Sequence, residues 1–199
     1  MLNYKHDDNF VKAKREGLRV ERLFALAEKA GFSQWGRLDM TALEVRKEVR
    51  EMCASDRCHN YGKSWSCPPA CGSLEQCRQN MERYQQGILV QTTAQLEDEF
   101  DLDGLSQAQK KHKTAFECLV RQARTVCGEC LPLTAGGCTL CYKCTYPQKN
   151  CRFPKKRMFS MEAFGLLVSD VCVKSGLNYY YGPKMITYTS CILFDEKKG

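Results

Sequence analysis

The chain lacks long apolar runs throughout its length. No stretch approaches the roughly 18 consecutive apolar residues that suggest a membrane-spanning helix. Residues 1–8 lack the apolar core that a secretory signal carries. Because both of these features are missing, we expect a cytoplasmic protein without a membrane partner. Histidine is also scarce, at three residues in 199.

Common nucleotide-binding and hydrolase motifs are missing as well. The sequence contains no P-loop, no Gly-x-Gly-x-x-Gly run and no ordered set of Ser, His and Asp. The composition is otherwise that of a globular protein, with 43% hydrophobic and 27% charged residues. We predict a single domain over residues 1–199.

Cysteine, in contrast, is abundant, with fourteen residues. Dense disulfide frameworks are typical of short secreted chains, and this chain is not short and shows no export signal. Clustered thiols in a reducing compartment indicate metal binding instead. Each four-thiolate zinc or iron–sulfur site carries about −2, so two sites would lower the net charge of +7 to about +3. The basic excess is thus weak evidence for a nucleic-acid partner.

Hydrophobic periodicity and turn signals predict alternating helices and strands. The predicted helices cover residues 10–31, 41–53, 73–86, 106–129 and 160–175. The predicted strands cover residues 33–40, 87–93, 131–133 and 185–194. We therefore predict an α/β (α+β) fold, in which helices flank a small central sheet and two cysteine-rich metal-binding loops are attached. These are cysteine loop one, residues 53–77, and cysteine loop two, residues 136–158.

Three local features belong to that prediction. Thr41 is expected to cap the second helix, and Ser160 is expected to begin the helix over 160–175. His112 lies among charged residues and is expected to be solvated. Glu162 could act near a metal cluster, but we favour the simpler interpretation that its charge complements a helix N-terminus.

Cysteine loop two carries the sharper motif, Cys138-x2-Cys141-x2-Cys144-x6-Cys151. Two successive Cys-x2-Cys steps bring three thiolates of one tight loop onto a single inorganic core, and a fourth thiolate from farther along completes the set. Gly136 and Gly137 would let backbone N–H groups approach the cluster sulfurs. The spacing favours an iron–sulfur cluster, with a zinc knuckle as the alternative.

Cysteine loop one is looser and offers five cysteines for four places. Its pattern is Cys53-x4-Cys58-x8-Cys67-x3-Cys71-x5-Cys77. A further pair, Cys127-x2-Cys130, could join Cys141 and Cys144 in a zinc ribbon, act as a redox dithiol, or have no ligand role.

Several blocks together resemble a known family. They are Tyr-Gly-Lys-Ser-Trp-Ser-Cys-Pro-Pro at 61–69, Gly-Gly-Cys-Thr-Leu-Cys-Tyr-Lys-Cys at 136–144, Cys-Arg-Phe-Pro at 151–154 and Ser-Met-Glu-Ala-Phe-Gly at 160–165. The chain is similar over residues 40–194 to the predicted metal-binding proteins of domain-of-unknown-function family 2284. The resemblance implies iron–sulfur ligation, and the matching positions are Cys53, Cys58 and Cys67 in the first set and Cys138, Cys141, Cys144 and Cys151 in the second. It leaves the fourth ligand of the first set open between Cys71 and Cys77, and it implies no particular reaction.

Three functions follow as hypotheses. The first is a carrier of two [4Fe–4S] clusters that passes single electrons to a redox partner protein in an anaerobic pathway. The second is an enzyme whose cluster has three cysteine ligands and an open iron, acting as a Lewis acid or sulfur acceptor. The third is a zinc-binding interaction module. For that module, a nucleic-acid surface is possible but not favoured, and its candidate residues are Tyr142, Lys143, Lys149, Arg152, Lys155, Lys156 and Arg157.

Overall fold

A mixed sheet of five strands lies at the centre of the computed structural model, which describes residues 4–98 and 100–196, with side chains from residue 17 to residue 195. The strands are β1 (Gln34–Arg37), β2 (Tyr84–Gln95), β3 (Leu131–Thr134), β4 (Phe159–Ser160) and β5 (Met185–Glu196). The helices of the described residues are α1 (Tyr4–Lys29), α2 (Lys47–Ala54), α3 (Leu74–Glu82), α4 (Leu102–Cys127) and α5 (Val168–Lys174). Two short 3₁₀ turns span Met40–Ala42 and Glu162–Phe164. The α+β prediction is confirmed.

The strands are ordered β1-β2-β5-β3-β4 across the sheet. The longest pairing is antiparallel between β2 and β5, with Val90 opposite Ser190. β1 pairs antiparallel with the outer side of β2, and β3 pairs antiparallel with β5. β4 then pairs parallel with β3, which places Leu133 opposite Phe159.

Both faces of the sheet are buried, which explains the unbroken apolar run at the centre of β2. Because successive strand side chains point to opposite faces, Ile88 and Val90 pack in one core with α1 and α4, whose fully buried side chains include Phe116. Leu89 packs on the other face with Leu133 and the elements around α3 and α5. A strand covered on both faces is apolar at consecutive positions.

Cysteine loop two forms the connection between the parallel strands β3 and β4. Parallel neighbours require a crossover of a dozen or more residues, and that crossover is usually a helix. Here residues 135–158 make the crossover without a helix or strand. A long irregular connection inside a folded unit is typical of a functional loop, so the sheet topology itself places this loop at the edge where β4 lies.

Two helix starts predicted from the sequence are wrong. Asp39, rather than Thr41, caps the first 3₁₀ turn by accepting a hydrogen bond from the Thr41 N–H, and α2 begins only at Lys47. Ser160 lies in β4 and is followed by the second 3₁₀ turn, while α5 begins at Val168. The local reason is the Ser160 hydroxyl, which accepts from the Ala163 N–H at 3.0 Å and so favours a turn over a continuing helix.

Gly165 ends that second turn in the left-handed region, with φ of 78°. A Cβ added at Gly165 would lie 3.1 Å from the backbone oxygen of Arg46 and 2.9 Å from a methyl carbon of Leu74. The Arg46 N–H also donates to the Gly165 carbonyl at 2.8 Å. Glycine is therefore required at this position, both because φ is positive and because a side chain would collide with these atoms. The hydrogen bond from Arg46 holds the turn against the start of α2.

His112 is fully buried, so the expectation of a solvated residue is wrong. Its Nδ1 atom lies 2.9 Å from the Thr92 hydroxyl, and its Nε2 atom lies 2.7 Å from the Ser190 hydroxyl. Burial, assisted by the positive charge of Lys113, lowers the pKa of His112 to about 4. His112 lies four residues before Phe116, so both residues lie on the same inward face of α4, a spacing that the expectation of a solvated residue did not take into account.

None of the helices in residues 4–98 and 100–196 combines the length and the apolar character that crossing a membrane would require.

Candidate metal centre

All fourteen cysteines are free thiols and none forms a disulfide. Nine of them lie in the two cysteine loops or at their ends: Cys53, Cys58, Cys67, Cys71, Cys77, Cys138, Cys141, Cys144 and Cys151. In the described residues, no group of three or more His, Cys, Asp or Glu side chains is arranged to hold a metal ion. Seven of the nine cysteines instead border two cavities.

The larger cavity, of about 760 Å³, is bordered by all four cysteines of the second motif: Cys138, Cys141, Cys144 and Cys151. Each of these residues is partly buried. Ser64, Trp65 and Ser66 of cysteine loop one form part of the same wall. The structure therefore brings together the four residues that the spacing had grouped, and it adds a wall that the spacing could not indicate.

Backbone donors surround the sulfur of Cys144. Burial would raise the pKa of this thiol, but hydrogen bonds from the N–H groups of Tyr146 and Trp65 and from the Ser64 hydroxyl bring it below the usual range. Donors aimed at a sulfur stabilise its thiolate form, which is the form that binds metal. Two of the named donors come from cysteine loop one, so the two loops build this environment jointly.

Trp65 fastens cysteine loop one to cysteine loop two. Its indole N–H donates to the Lys149 carbonyl at 3.0 Å, and its ring meets the ring of Tyr146 edge-on with centroids 4.9 Å apart. The indole N–H of Trp65 thus has a hydrogen-bond partner, and its ring forms part of one wall of the larger cavity.

The smaller cavity, of about 250 Å³, is bordered by Cys53, Cys58, Cys67 and the carboxylate residue Glu162. Cys53 comes from α2, Cys58 and Cys67 come from the irregular part of cysteine loop one, and Glu162 opens the second 3₁₀ turn. Burial and then the negative charge of Glu162 raise the pKa of Cys53 to about 11. Burial also raises the pKa of Cys67, against hydrogen bonds from the Ser66 and Ser64 hydroxyls.

Cys71 and Cys77 do not border this cavity. The Cys71 thiol faces the Ala163 carbonyl at 3.7 Å, while Cys77 is fully buried in α3 and its sulfur accepts from Arg50 Nη2 at 3.4 Å. A hydrogen bond between the two thiols, together with the charge of Arg50, lowers the pKa of Cys77. The question of which cysteine is the fourth ligand stays a prediction, and the geometry favours neither.

Cys127 and Cys130 lie apart from the larger cavity. Cys130 is buried in the core formed with α1 and α4, and Cys127 packs against the same core. The structure does not bring them to the cavity that Cys141 and Cys144 border, so this arrangement gives no support to a zinc ribbon formed by the four.

The two sites are joined by a short contact. The Cys138 N–H donates to the Ser66 hydroxyl at 3.1 Å, and Ser66 directly precedes Cys67. Lys113 of α4 reaches the same junction, where its ammonium donates to the Gly137 carbonyl at 3.1 Å. Lys113 carries a positive charge between Cys138 and Cys67, whose charges act to raise its pKa, although burial has the larger effect and lowers it.

The sequence suggested that Glu162 could act near a metal cluster, but the favoured interpretation was charge at a helix N-terminus, and Lys113 was not singled out. Glu162 opens a 3₁₀ turn, and no α-helix begins there. Its position a few residues after the end of cysteine loop two already indicated that it could lie near a thiol site. Lys113 gave no such indication, because only the packing of α4 against the sheet brings it to Gly137.

The helices, the mixed sheet and the two thiol-bordered cavities define a cysteine-rich α+β protein of a metal-binding type. The sequence model of the family described as predicted metal-binding protein, domain-of-unknown-function family 2284, matches residues 36–194, and the chain belongs to this family. The resemblance drawn from the sequence blocks is thereby confirmed. No curated protein and no solved structure gives a significant match.

Proposed function

We propose that the protein binds two iron–sulfur clusters and passes single electrons between them and a partner protein. The observation that carries this proposal is the distribution of thiols. One cavity is bordered by Cys138, Cys141, Cys144 and Cys151, and a second cavity, joined to the first through the Ser66 to Cys138 hydrogen bond, is bordered by three further cysteines.

The donor sets fit clusters in chemistry and in space. Thiolates are the soft ligands that iron–sulfur clusters and zinc take. Cavities of about 760 Å³ and 250 Å³ leave more room than a single ion needs. A cluster held by these thiolates supplies reversible one-electron transfer. The chain's own residues would tune it: N–H groups donate to Cys144, Trp65 covers the cavity wall, and Lys113 offsets negative charge near Cys138.

A second function is favoured by the smaller cavity alone. Its three cysteines border it together with the carboxylate residue Glu162, and the two remaining cysteines of cysteine loop one do not border it. A metal position not held by a fourth thiolate is available to a substrate, where the metal can act as a Lewis acid or accept sulfur. The first site would then be catalytic, and the second would supply or remove electrons.

The partner that we propose is a protein with an acidic surface. Cysteine loop two contains six basic residues and no acidic residue; these are Lys143, Lys149, Arg152, Lys155, Lys156 and Arg157. Tyr142 and Phe153 are exposed among them. Complementary charge steers electron-transfer partners and raises their association rate. A nucleic acid would meet the same charges, and binding of a nucleic acid in place of an acidic protein would support the interaction-module alternative.

The central test is an elemental analysis of protein purified without oxygen. Two [4Fe–4S] clusters require about eight irons and eight acid-labile sulfides per chain, with a brown colour. Zinc at one or two per chain without sulfide would reject the electron carrier and leave the zinc-binding interaction module in its place. Exclusion of oxygen matters because a degraded cluster can be replaced by zinc.

The charge of cysteine loop two can be tested with small redox probes. If the loop surrounds an electron entry point, reduced protein should react faster with anionic ferricyanide than with a cationic cobalt hexaammine complex, and added salt should reduce the difference. The double variant Lys155→Glu with Lys156→Glu should lower the ratio of the ferricyanide rate to the cobalt hexaammine rate severalfold. The double variant Arg22→Glu with Lys29→Glu, at exposed positions on α1, makes the same change in net charge and is the matched control. Equal responses of both variants would place electron entry elsewhere.

A further inference from the structure

Glu162 occupies an unusual position for a carboxylate. It is partly buried, it opens the second 3₁₀ turn directly after β4, and it borders the smaller cavity together with Cys53, Cys58 and Cys67. Burying a carboxylate is costly unless it gains compensating partners. The carboxylate accepts hydrogen bonds from its own backbone N–H and from the Ser160 hydroxyl. These two donors fix its direction but bring no positive charge to balance it.

The backbone that carries Glu162 is rigidly attached to the helix that carries Cys53. The Arg46 N–H donates to the Gly165 carbonyl, an isolated bridge pairs Val45 with Leu166, and a side chain at Gly165 would collide with this segment. Arg46 is also the residue before the first turn of α2. The carboxylate and the thiol of Cys53 are therefore held in one rigid unit, and the charge of Glu162 acts on Cys53.

The other two thiols of cysteine loop one do not border the smaller cavity and already have hydrogen-bond partners. Cys71 points to the Ala163 carbonyl, and Cys77 is buried beside Arg50, whose second guanidinium nitrogen donates to the Gly72 carbonyl at 3.0 Å. Moving either thiol into the cavity would break these contacts. Glu162 needs no such movement, because it already borders the cavity.

We propose that Glu162 is the fourth protein ligand of the first metal site, through a carboxylate oxygen that completes the set formed by Cys53, Cys58 and Cys67. This inference rests on the proposed metal-binding function and deepens it. A carboxylate is a harder donor than a thiolate and matches a soft iron–sulfur core less well. It is therefore the ligand of the four that an incoming donor displaces most readily, which makes this position the substrate-binding one.

The experiment compares wild type with Glu162→Ala, Glu162→Gln and Glu162→Cys, each purified without oxygen, and uses Cys71→Ala as the matched control. Iron, sulfide and the electron paramagnetic resonance spectrum of the reduced protein are measured, followed by titration with cyanide as the added ligand. Glu162→Gln keeps the size and the Ser160 contact, so it separates ligation from folding. Circular dichroism checks that each variant retains its helices.

We expect Glu162→Ala to bind cyanide at least tenfold more tightly than wild type, because no carboxylate competes with it. Glu162→Gln should shift in the same direction, and Glu162→Cys should keep its iron and lose the response to cyanide. The first-site resonance should change in all three, while Cys71→Ala should match wild type. Wild-type spectra and wild-type cyanide affinity in Glu162→Gln and Glu162→Cys would overturn the proposal.

Failure of the cluster assignment can be recognised separately. If wild type contains zinc without sulfide, the cluster proposal fails. The proposed ligation by Glu162 is then tested by measuring zinc per chain in the variants. Loss of one zinc per chain in Glu162→Ala but not in Cys71→Ala would still support ligation by the carboxylate. Unchanged zinc in both variants would overturn it.

Discussion

The sulfur of Cys67 lies 3.4 Å from the point where a Cβ atom of Gly137 would be. Cys67 belongs to the first candidate site and Gly137 directly precedes Cys138 of the second. The close approach is therefore one of the contacts between the two cysteine loops, beside those of Trp65 and Ser66. Asn60 is the other neighbour of this point, at 3.7 Å. A glycine here lets the backbone of one loop lie against a thiol of the other.

The first prediction concerns this contact. Gly137→Val should reduce the metal content of the first site by about half or more, because the two branch carbons of valine reach beyond Cβ into the space of the Cys67 sulfur. Gly137→Ala is the control. Its Cβ would make only an ordinary van der Waals contact at 3.4 Å and should leave both sites intact. Iron and sulfide analysis measures the outcome, and full metal content in Gly137→Val would show that the loops can separate.

The second prediction separates ligands from neighbouring thiols. Cys141→Ala should remove about half of the iron and sulfide, because Cys138, Cys141 and Cys144 lie in one tight loop with no spare thiol between them. Cys71→Ala and Cys77→Ala should retain wild-type iron, because neither thiol borders the smaller cavity. Loss of a cluster in either variant would make that cysteine the fourth ligand and contradict the assignment of Glu162.

The third prediction concerns folding without metal. Residues 53–72 and 136–158 contain little regular structure and no periodic apolar pattern, so metal binding should supply most of the free energy that orders them. Removal of metal by a chelator should make both segments sensitive to protease while the sheet and α4 persist. Mass spectrometry of the fragments locates the cleavage points. Protease resistance of both loops in the metal-free protein would indicate that they are ordered by contacts such as that of Trp65 with Lys149.

The fourth prediction concerns His112. Its pKa is about 4 in the folded protein against the usual 6.5, because burial between Thr92 and Ser190 disfavours the charged ring and Lys113 adds to this effect. A lowered folded pKa means that the unfolded chain binds the proton first as pH falls. The contribution of the neutral His112 ring to the free energy of unfolding is therefore fully present above about pH 6.5 and is lost as the pH falls towards 4. The loss between pH 7 and pH 5 is about 2 kcal/mol.

Nuclear magnetic resonance of the imidazole nitrogens measures this directly. The ring of His112 should stay neutral at pH 5.5, and its assignment follows from the loss of one signal set in His112→Gln. The same variant should be less stable at pH 7, because it removes a ring bonded on both sides, and should lose less stability on acidification. Titration of His112 near 6.5 would contradict the buried arrangement.

The prediction of the fold from sequence succeeded where a local pattern was strong. The strand predicted over residues 87–93 lies within β2, and the helix predicted to begin at residue 73 is α3, whose N-cap Ser73 forms a capping box with Gln76. The prediction failed at Thr41 and Ser160. At both places a short 3₁₀ turn forms instead of the predicted α-helix. The side-chain oxygens of Asp39 and Ser160 accept hydrogen bonds within these turns, and such an oxygen stabilises a 3₁₀ turn as well as the start of an α-helix.

The sequence by itself determined the two groups of thiols, since the spacing Cys138-x2-Cys141-x2-Cys144 brings sulfurs of one short segment together whatever surrounds it. It also determined the family, through blocks of adjacent residues. Only the tertiary structure decided that Glu162 borders one cavity with Cys53, Cys58 and Cys67, that Cys71 and Cys77 do not border it, and that the two sites make contact at Gly137. The physical reason is range: spacing governs groups on one short segment, whereas groups from separate elements meet only where the packing of the sheet and its turns places them.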